Sequence, residues 1–441
     1  MRNGLPKDWQ TVKLEDLCER ITVGHVGPMA DKYVEAGIPF LRSQNIQPFR
    51  LDMSDVKYID DDFHRQLKKS AIEPGDVVVV RTGYPGTACV VPYKLSVANC
   101  ADLVIIKPSK DLDSWFLATI FNSSWGRGTV AGKLVGVAQQ HFNIGAARQM
   151  KIHKPPLATQ RKIAGVLGAY DELIENNRRR IEILEEMARR LYREWFVQFR
   201  FPGHAHVPLT DSPLGKIPKG WEVKTPDKLL SDHIGGGWGQ EEPDEKHSDA
   251  AYVIRGTDIP ETRRLDIAFC PRRYHAPSNL RSRKLNAGDI VIEVSGGGKD
   301  QAVGRSLLVN SVLLSRFDGD VICASFCKRV QVDAGAISPL LFWLHLNEIY
   351  DDGRIKQYQV QSTGIKNFQF AVFLEKEQFV VPPRPLQTRF DEQVGPMIES
   401  VTNLGVRNVV LRKTRDLLLP RLISGELDVS ELPIEVEARV E

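Results

Sequence analysis

Several stretches hold residue types that could do chemistry. Gly296-Gly-Gly298-Lys299-Asp300 gathers glycines before a lysine, as phosphate-cradling loops do. The G-x-x-x-x-G-K-[ST] spacing is missing, and an aspartate follows the lysine where a hydroxyl is needed. Lys154-Pro-Pro-Leu157 and Val381-Pro-Pro-Arg384 lack both the leading amide or acid and the trailing aromatic of an amino-methyltransferase motif. His204-Ala-His206 has no thiol or carboxylate cluster beside it, and Asp55-Val-Lys57 has no nuclease pattern around it. The six cysteines include no C-x-x-C pair, which fits scattered reduced thiols rather than a zinc site. These residues argue for binding rather than catalysis, with no metal and no cofactor held by this chain.

The elements that position the remaining polar residues come in duplicate. At 441 residues the chain has room for two or three domains, each with its own core. No apolar run approaches the roughly 20 residues of a membrane helix, and the first residues lack an apolar leader, so a cytoplasmic protein without membrane contact is expected. The net charge of +3 neither demands nor excludes a polyanion. Its distribution says more, because Arg263, Arg264, Arg272, Arg273, Arg281, Arg283 and Lys284 share one stretch with only Asp266 as counter-charge. Such a run is either a solvated face or a set of phosphate contacts.

Leu5-Pro-Lys-Asp-Trp9 returns as Ile217-Pro-Lys-Gly-Trp221, and Phe40-Leu-Arg42-Ser-Gln-Asn-Ile46 parallels Val253-Ile-Arg255-Gly-Thr-Asp-Ile259. Gly75-Asp76 and Gly288-Asp289 each open a β-branched run, reading as a turn into a buried strand. Gln139-Gln140-His141-Phe142-Asn143 stands against Gly364-Ile365-Lys366-Asn367-Phe368. Helices are expected over 112–122 and 339–349. Each copy therefore reads as an α+β module with a twisted, mostly antiparallel sheet.

A heptad seam follows each copy. Ile163, Leu167, Tyr170, Ile174, Asn177, Ile181, Leu184, Ala188, Leu191 and Trp195 recur at alternating steps of four and three. An offset of 227, which carries Gln160 onto Gln387, produces Phe390, Val394, Met397, Val401, Leu404, Asn408, Leu411, Arg415, Leu418 and Leu422. The first seam corresponds to about 50 Å of helix at 1.5 Å per residue. An apolar stripe of that length needs a partner, and the repeat supplies one within the chain as an antiparallel coiled coil. Asn177 at a d position and Asn408 at an a position would then face each other, since an unpaired buried amide costs about 1–3 kcal/mol. That register sets Ile181 against Leu404, Ile174 against Leu411, Trp195 against Phe390, and Arg415 beside the Tyr170 ring. Thr159 is the expected cap of the first helix.

Leu191-Tyr-Arg-Glu-Trp195-Phe196-Val-Gln-Phe199, followed by Asp211-Ser-Pro-Leu-Gly215-Lys-Ile-Pro218-Lys-Gly-Trp221, resembles the central region of type I restriction–modification specificity subunits. Leu417-Leu-Leu-Pro420-Arg421-Leu-Ile-Ser-Gly425 resembles their C-terminal helix ending. The likeness spans nearly the whole chain. It implies two target recognition domains that each read half of a split sequence in double-stranded DNA. It implies a coiled coil that spaces them and seats two modification subunits. Those subunits would bind S-adenosylmethionine and methylate adenine, and restriction subunits would use ATP and Mg. The boundaries expected are 1–156 for the first recognition domain, 157–200 for its helix, 201–217 for a linker, 218–383 for the second domain, 384–424 for its helix and 425–441 for a tail. The alternative is a non-catalytic coiled-coil adaptor whose duplicated modules bind protein or another ligand.

Base edges are read by hydrogen-bonding side chains on exposed loops, and phosphates by basic side chains and backbone donors. In the first module the candidates are Arg42, Ser43, Gln44, Asn45, Arg81, Thr82, Tyr84, Gln139, Gln140, His141 and Asn143. In the second they are Arg255, Thr257, Asp258, Ser295, Lys299, Gln301, Lys366 and Asn367.

Overall fold

The computed structural model describes residues 5–133, 141–296, 301–362 and 364–433. The chain forms two units, Met1–Ile174 with Leu411–Glu441, and Glu175–Val410. Gln139, Gln140 and Lys299 lie outside the described residues.

In the first unit, Val77-Val-Val-Val80 forms a strand buried on both faces. Val77 and Val79 join a core with Phe116 and Leu117 of helix α1 (Ser114–Asn122), while Val78 and Val80 join a second core with Leu41 and Cys100. The neighbouring strand Leu103–Pro108 alternates in step, sending Val104 and Ile106 one way and Leu103 and Ile105 the other. Side chains that alternate across a pleated strand serve two cores when both faces are covered. This sheet runs Cys18–Val23, Leu103–Pro108, Val77–Val80, Ala88–Val90, antiparallel throughout. A second sheet runs Lys57–Ile59, Ile38–Leu41, Ala98–Cys100, Ala71–Ile72, and its two middle strands are parallel. A ribbon of Gln10–Lys13 with Lys151–Lys154 leads into helix α2 (Leu157–Tyr192).

The second unit repeats this order. One sheet runs Leu230–Gly235, Cys327–Val332, Ile290–Glu293, Ser306–Leu308, and the other runs Arg272–His275, Asp249–Ile254, Asp320–Cys323, again with one parallel pair. Glu222–Lys224 pairs with Phe379–Val381, helix α3 (Pro339–Asp351) stands where α1 stood, and helix α4 (Arg384–Ile423) follows as α2 does. A further sheet of Ser295–Gly296, Ile365–Phe368 and Gln359–Ser362 is attached. The fold is α+β and mostly antiparallel, with the parallel pair of each unit as the exception.

Buried polar residues repeat with it. Gln160 accepts the Asp113 N–H at 2.9 Å and donates to the Pro155 carbonyl at 2.9 Å. Gln387 does the same for Ser338 and Pro382, also at 2.9 Å each. Each glutamine thereby ties the start of a long helix to the cap of the short one.

The long helices meet at residues of both seams. In the second unit the Asn177 Nδ2 donates to Asn408 Oδ1 at 2.9 Å, and the Trp195 and Phe390 ring centres lie 5.5 Å apart. In the first, Ile163 and Leu167 share a core with Leu419, Leu422 and Ile423. Rising numbers on α2 meet falling numbers on α4 in each unit, so the pairing is antiparallel. Three expectations are corrected. Arg415 binds Asp171 and lies 6.0 Å from the Phe49 ring centre instead of stacking on Tyr170, because a carboxylate attracts a half-buried guanidinium more strongly than a ring face does. Thr159 is no cap, since α2 already begins at Leu157 and Thr159 is buried within it. The stretch expected as a linker contains a hairpin, Leu209–Ser212 with Gly215–Pro218.

Candidate nucleic-acid interface

In the first unit, Arg42 follows the strand Ile38–Leu41 and closes a tight turn over Ser43–Asn45. Its N–H donates to Asn45 Oδ1 at 2.9 Å, and Asn45 Nδ2 donates to the Asp52 carbonyl at 2.9 Å. The Arg42 guanidinium meets Asp55 Oδ2 at 3.1 Å, and Gln44 Nε2 donates to the same oxygen at 2.6 Å. Hydrogen bonds from Arg42 and Lys57 hold the Asp55 carboxyl below the usual carboxylate range. Arg81 leaves the strand Val77–Val80, and its Nη1 lies 2.7 Å from Asp102 Oδ1 while Thr82 Oγ1 donates to Oδ2 at 2.9 Å. Arg81 Nε donates to the Phe142 carbonyl, and the Phe142 N–H returns a bond to the Arg81 carbonyl, both at 3.1 Å.

Asp102 makes this a single edge. It adopts φ +51°, an αL conformation that aspartate tolerates, and its neighbour Ala101 donates to the Leu41 carbonyl at 2.9 Å. The turn after Leu41, the Arg81–Thr82 segment and the His141–Asn143 segment thus converge around residues 101 and 102. Tyr84 stands on the next loop, 85% exposed, between Gly83 and Gly86, which take φ values of +83° and +92°. His141 is half-buried, and the Asn143 carbonyl oxygen of the side chain caps the helix Ile144–Arg148 by accepting the Ala146 N–H at 2.7 Å.

The second unit builds the same edge from different side chains. The Arg255 N–H donates to Asp258 Oδ2 at 3.0 Å, its guanidinium grips both carboxylate oxygens at 2.8 Å, and Nη2 donates to the Phe269 carbonyl at 2.9 Å. Thr257 is exposed on that turn. Ala324 donates to the Ile254 carbonyl at 2.9 Å, and the Phe326 carbonyl accepts from Val294 at 2.8 Å and Ser295 at 3.2 Å. Ser295 Oγ donates to Asn367 Oδ1 at 2.7 Å. Arg255, Ser295 and Asn367 are therefore gathered as Arg42, Arg81 and Phe142 are. Gln301 is exposed, and its carbonyl accepts Lys366 Nζ at 2.8 Å.

The expected exposure is corrected at three positions. Asn45, Asp258 and Lys366 are buried, because the first two close turns from within and Lys366 is drawn to a backbone carbonyl. The basic run is also largely committed inside the unit. Arg263 donates to the Ser306 carbonyl and to Asn347 and lies over Trp343, Arg264 meets Glu261 at 3.0 Å, Arg273 meets Glu241 at 2.7 Å, and Lys284 meets Asp320 at 2.6 Å. Arg272 and Arg281 are exposed. Sequence reasoning missed Asp55 and Asp102, whose partners are distant in sequence, and the exposed Phe269 and Phe326, whose types suggest a core. Among the described residues, no His/Cys/Asp/Glu group has the arrangement to hold a metal ion. Burial pushes the Cys18 and Cys323 thiols up to about 12 and Cys270 up to about 11, so they stay protonated and unreactive. What the edge offers is hydrogen-bond donors, oriented guanidinium groups and a few bare rings, the chemistry of recognition.

Residues 6–186 match the profile of the type I restriction modification DNA specificity domain. Over that segment the chain resembles DNA specificity domains. The MjaIX specificity subunit of Methanocaldococcus jannaschii is 24% identical over 97% of this chain and 95% of its own length. The EcoKI specificity subunit of Escherichia coli K12 is 25% identical over 35% of this chain and 33% of its own length. The type I restriction-modification S subunit of M. genitalium has the same fold, with a TM-score of 0.56 at 13% identity over 96% of this chain and 97% of that one. Over nearly its whole length the chain is thus similar to type I restriction enzyme specificity subunits, and residues 6–186 match their DNA specificity domain.

Proposed function

We propose that this chain reads DNA for a type I restriction–modification complex, each unit's edge contacting one half of a split, asymmetric target. The observation that carries the reading is the pair of equivalent edges. The scaffold is repeated residue for residue at Gln160 and Gln387, Asp76 and Asp289, Arg42 and Arg255, while the side chains on the edge differ. A repeated frame with unlike readers fits two unlike half-sites. Residues 1–156 and 218–383 serve as the recognition domains, and the helices of 157–200 and 384–424 set their separation and seat two modification subunits. Arg42, Ser43, Gln44, Arg81, Thr82, Tyr84, Gln139, Gln140, His141 and Asn143 are the candidate contacts to one half-site. Arg255, Thr257, Ser295, Lys299, Gln301 and Asn367 are those to the other.

The geometry suggests how such contacts gain specificity. A guanidinium held by a carboxylate has lost most of its rotamer freedom before DNA arrives, so less entropy is lost when its remaining N–H groups meet a base edge. The chain itself has no catalytic role in this reading. S-adenosylmethionine belongs to the modification subunits, ATP and Mg to the restriction subunits, and the complex works in the cytoplasm. No helix among the described residues is long and apolar enough to cross a membrane. Mapping of methylated adenine in cells with and without the chain tests the proposal. Loss of one split motif is expected, and an unchanged map overturns it.

A further inference from the structure

We propose that Phe326 determines specificity by contacting a thymine methyl group in the half-site read by the second unit, an inference that rests on the DNA-reading role above. Phe326 is the third residue of a turn closed by the Cys327 N–H on the Ala324 carbonyl at 2.8 Å, and it is 60% exposed. Its backbone is fixed by the two N–H groups its carbonyl accepts, from Val294 and Ser295. On one side, Ala324 is bonded to Ile254, the residue before Arg255; on the other, Ser295 is bonded to Asn367. A bare apolar ring therefore stands among the side chains proposed to read base edges.

Water hydrates such a ring unfavourably, so a site that covers it gains binding free energy. Unbent B-DNA offers one apolar group on its base edges, the thymine methyl in the major groove; the minor groove offers none. Insertion between base steps would require unstacking first, which makes the methyl contact the cheaper use of the ring. The first unit supplies an internal contrast. Leu103 pairs with Val80 as Cys327 pairs with Glu293, so Asp102 occupies the place of Phe326. There a carboxylate clamps Arg81 and Thr82 and presents no ring. Dependence on a thymine methyl at this place should accordingly be confined to one half-site.

The test uses the full chain assembled with its methyltransferase subunits and the split target found by methylation mapping. Each thymine of the target is replaced singly by uracil, which removes only the methyl group. The expected result is one position in one half-site where uracil weakens wild-type binding about three- to tenfold. F326A should bind thymine and uracil equally there, F326L should keep most of the discrimination, and the other half-site should respond alike in all three proteins. An unchanged thymine-to-uracil ratio in F326A overturns the inference. So does a 2-aminopurine beside that position that brightens on binding wild type but not F326A, because it reports unstacking. A wild-type complex with no preference for the split target over random duplex sinks the DNA-reading role itself, whereas a kept preference with an unchanged ratio sinks this contact alone.

Discussion

Asp102 and Asp55 decide what the half-buried Arg81 and Arg42 of the first unit can do. Asp102 accepts from both Arg81 and Thr82, so Asp102→Ala leaves two donors at the rim without their acceptor. Partial exposure of the pair screens the loss, and about 1–2 kcal/mol of stability is expected to go. Thermal unfolding of the full chain measures it, and binding to the split target should fall while binding to random duplex falls less. Equal losses on both duplexes would reduce Arg81 and Thr82 to phosphate contacts. These carboxylates also mark where sequence reasoning stops. Arg42 and Arg255 are legible as repeat landmarks because each closes a turn onto an Asn or Asp three residues later. Asp55 lies 13 residues from Arg42 and Asp102 lies 21 from Arg81, distances over which only the folded sheet specifies contact. Phe326 was hidden for another reason, since an apolar residue beside a strand reads as core until its exposure is seen.

The long helices were the most legible elements, because few structures apart from paired helices sustain a heptad period over many turns. The asparagine pair tests their register. Asn177→Leu alone removes the donor to the buried Asn408 Oδ1 and should cost about 1–3 kcal/mol. N177L/N408L together should recover most of that and loosen the register, which denaturant unfolding of the single and double variants can measure; additive losses would contradict the pairing. The end of α2 holds a second element-scale contrast that no period could reveal. Tyr192 meets His345 Nδ1 at 2.8 Å, and His345 Nε2 meets Glu377 at 2.9 Å, all buried. Offsets of 227, 225 and 227 place Leu419, Ile120 and Met150 at the equivalent positions of the first unit, one apolar cluster. His345→Ile alone strands two polar partners and should destabilise by about 2–4 kcal/mol. Y192L/H345I/E377M, copying the other unit, should cost less than that single change. Burial pushes the Glu377 carboxyl up, but His345, Tyr358 and Arg354 together hold it below its ordinary 4.5. Its stabilising contribution is therefore present above about pH 4.5 and lost as pH falls below it. The wild type should lose stability there more steeply than the triple variant, as unfolding midpoints taken from pH 6 down to 3 will show.

At the scale of the whole molecule, duplication explains both what the sequence reveals and what it conceals. Residues that build the frame had to recur, so Gln160 and Gln387, or the two Gly-Asp turns, are visible as matches. Most other side chains on the two edges differ, so beyond Arg42 and Arg255 the edge is visible mainly as the gaps between matches. The central claim is that two unlike readers are spaced by their own paired helices. Inserting four residues into α2 and four at the matching level of α4 lengthens each rod by about 6 Å, close to two base pairs of B-DNA. Methylation mapping in cells carrying the lengthened chain is the most direct measurement. The account predicts the same two half-site sequences separated by about two more base pairs, and methylation that keeps the original spacing would contradict it.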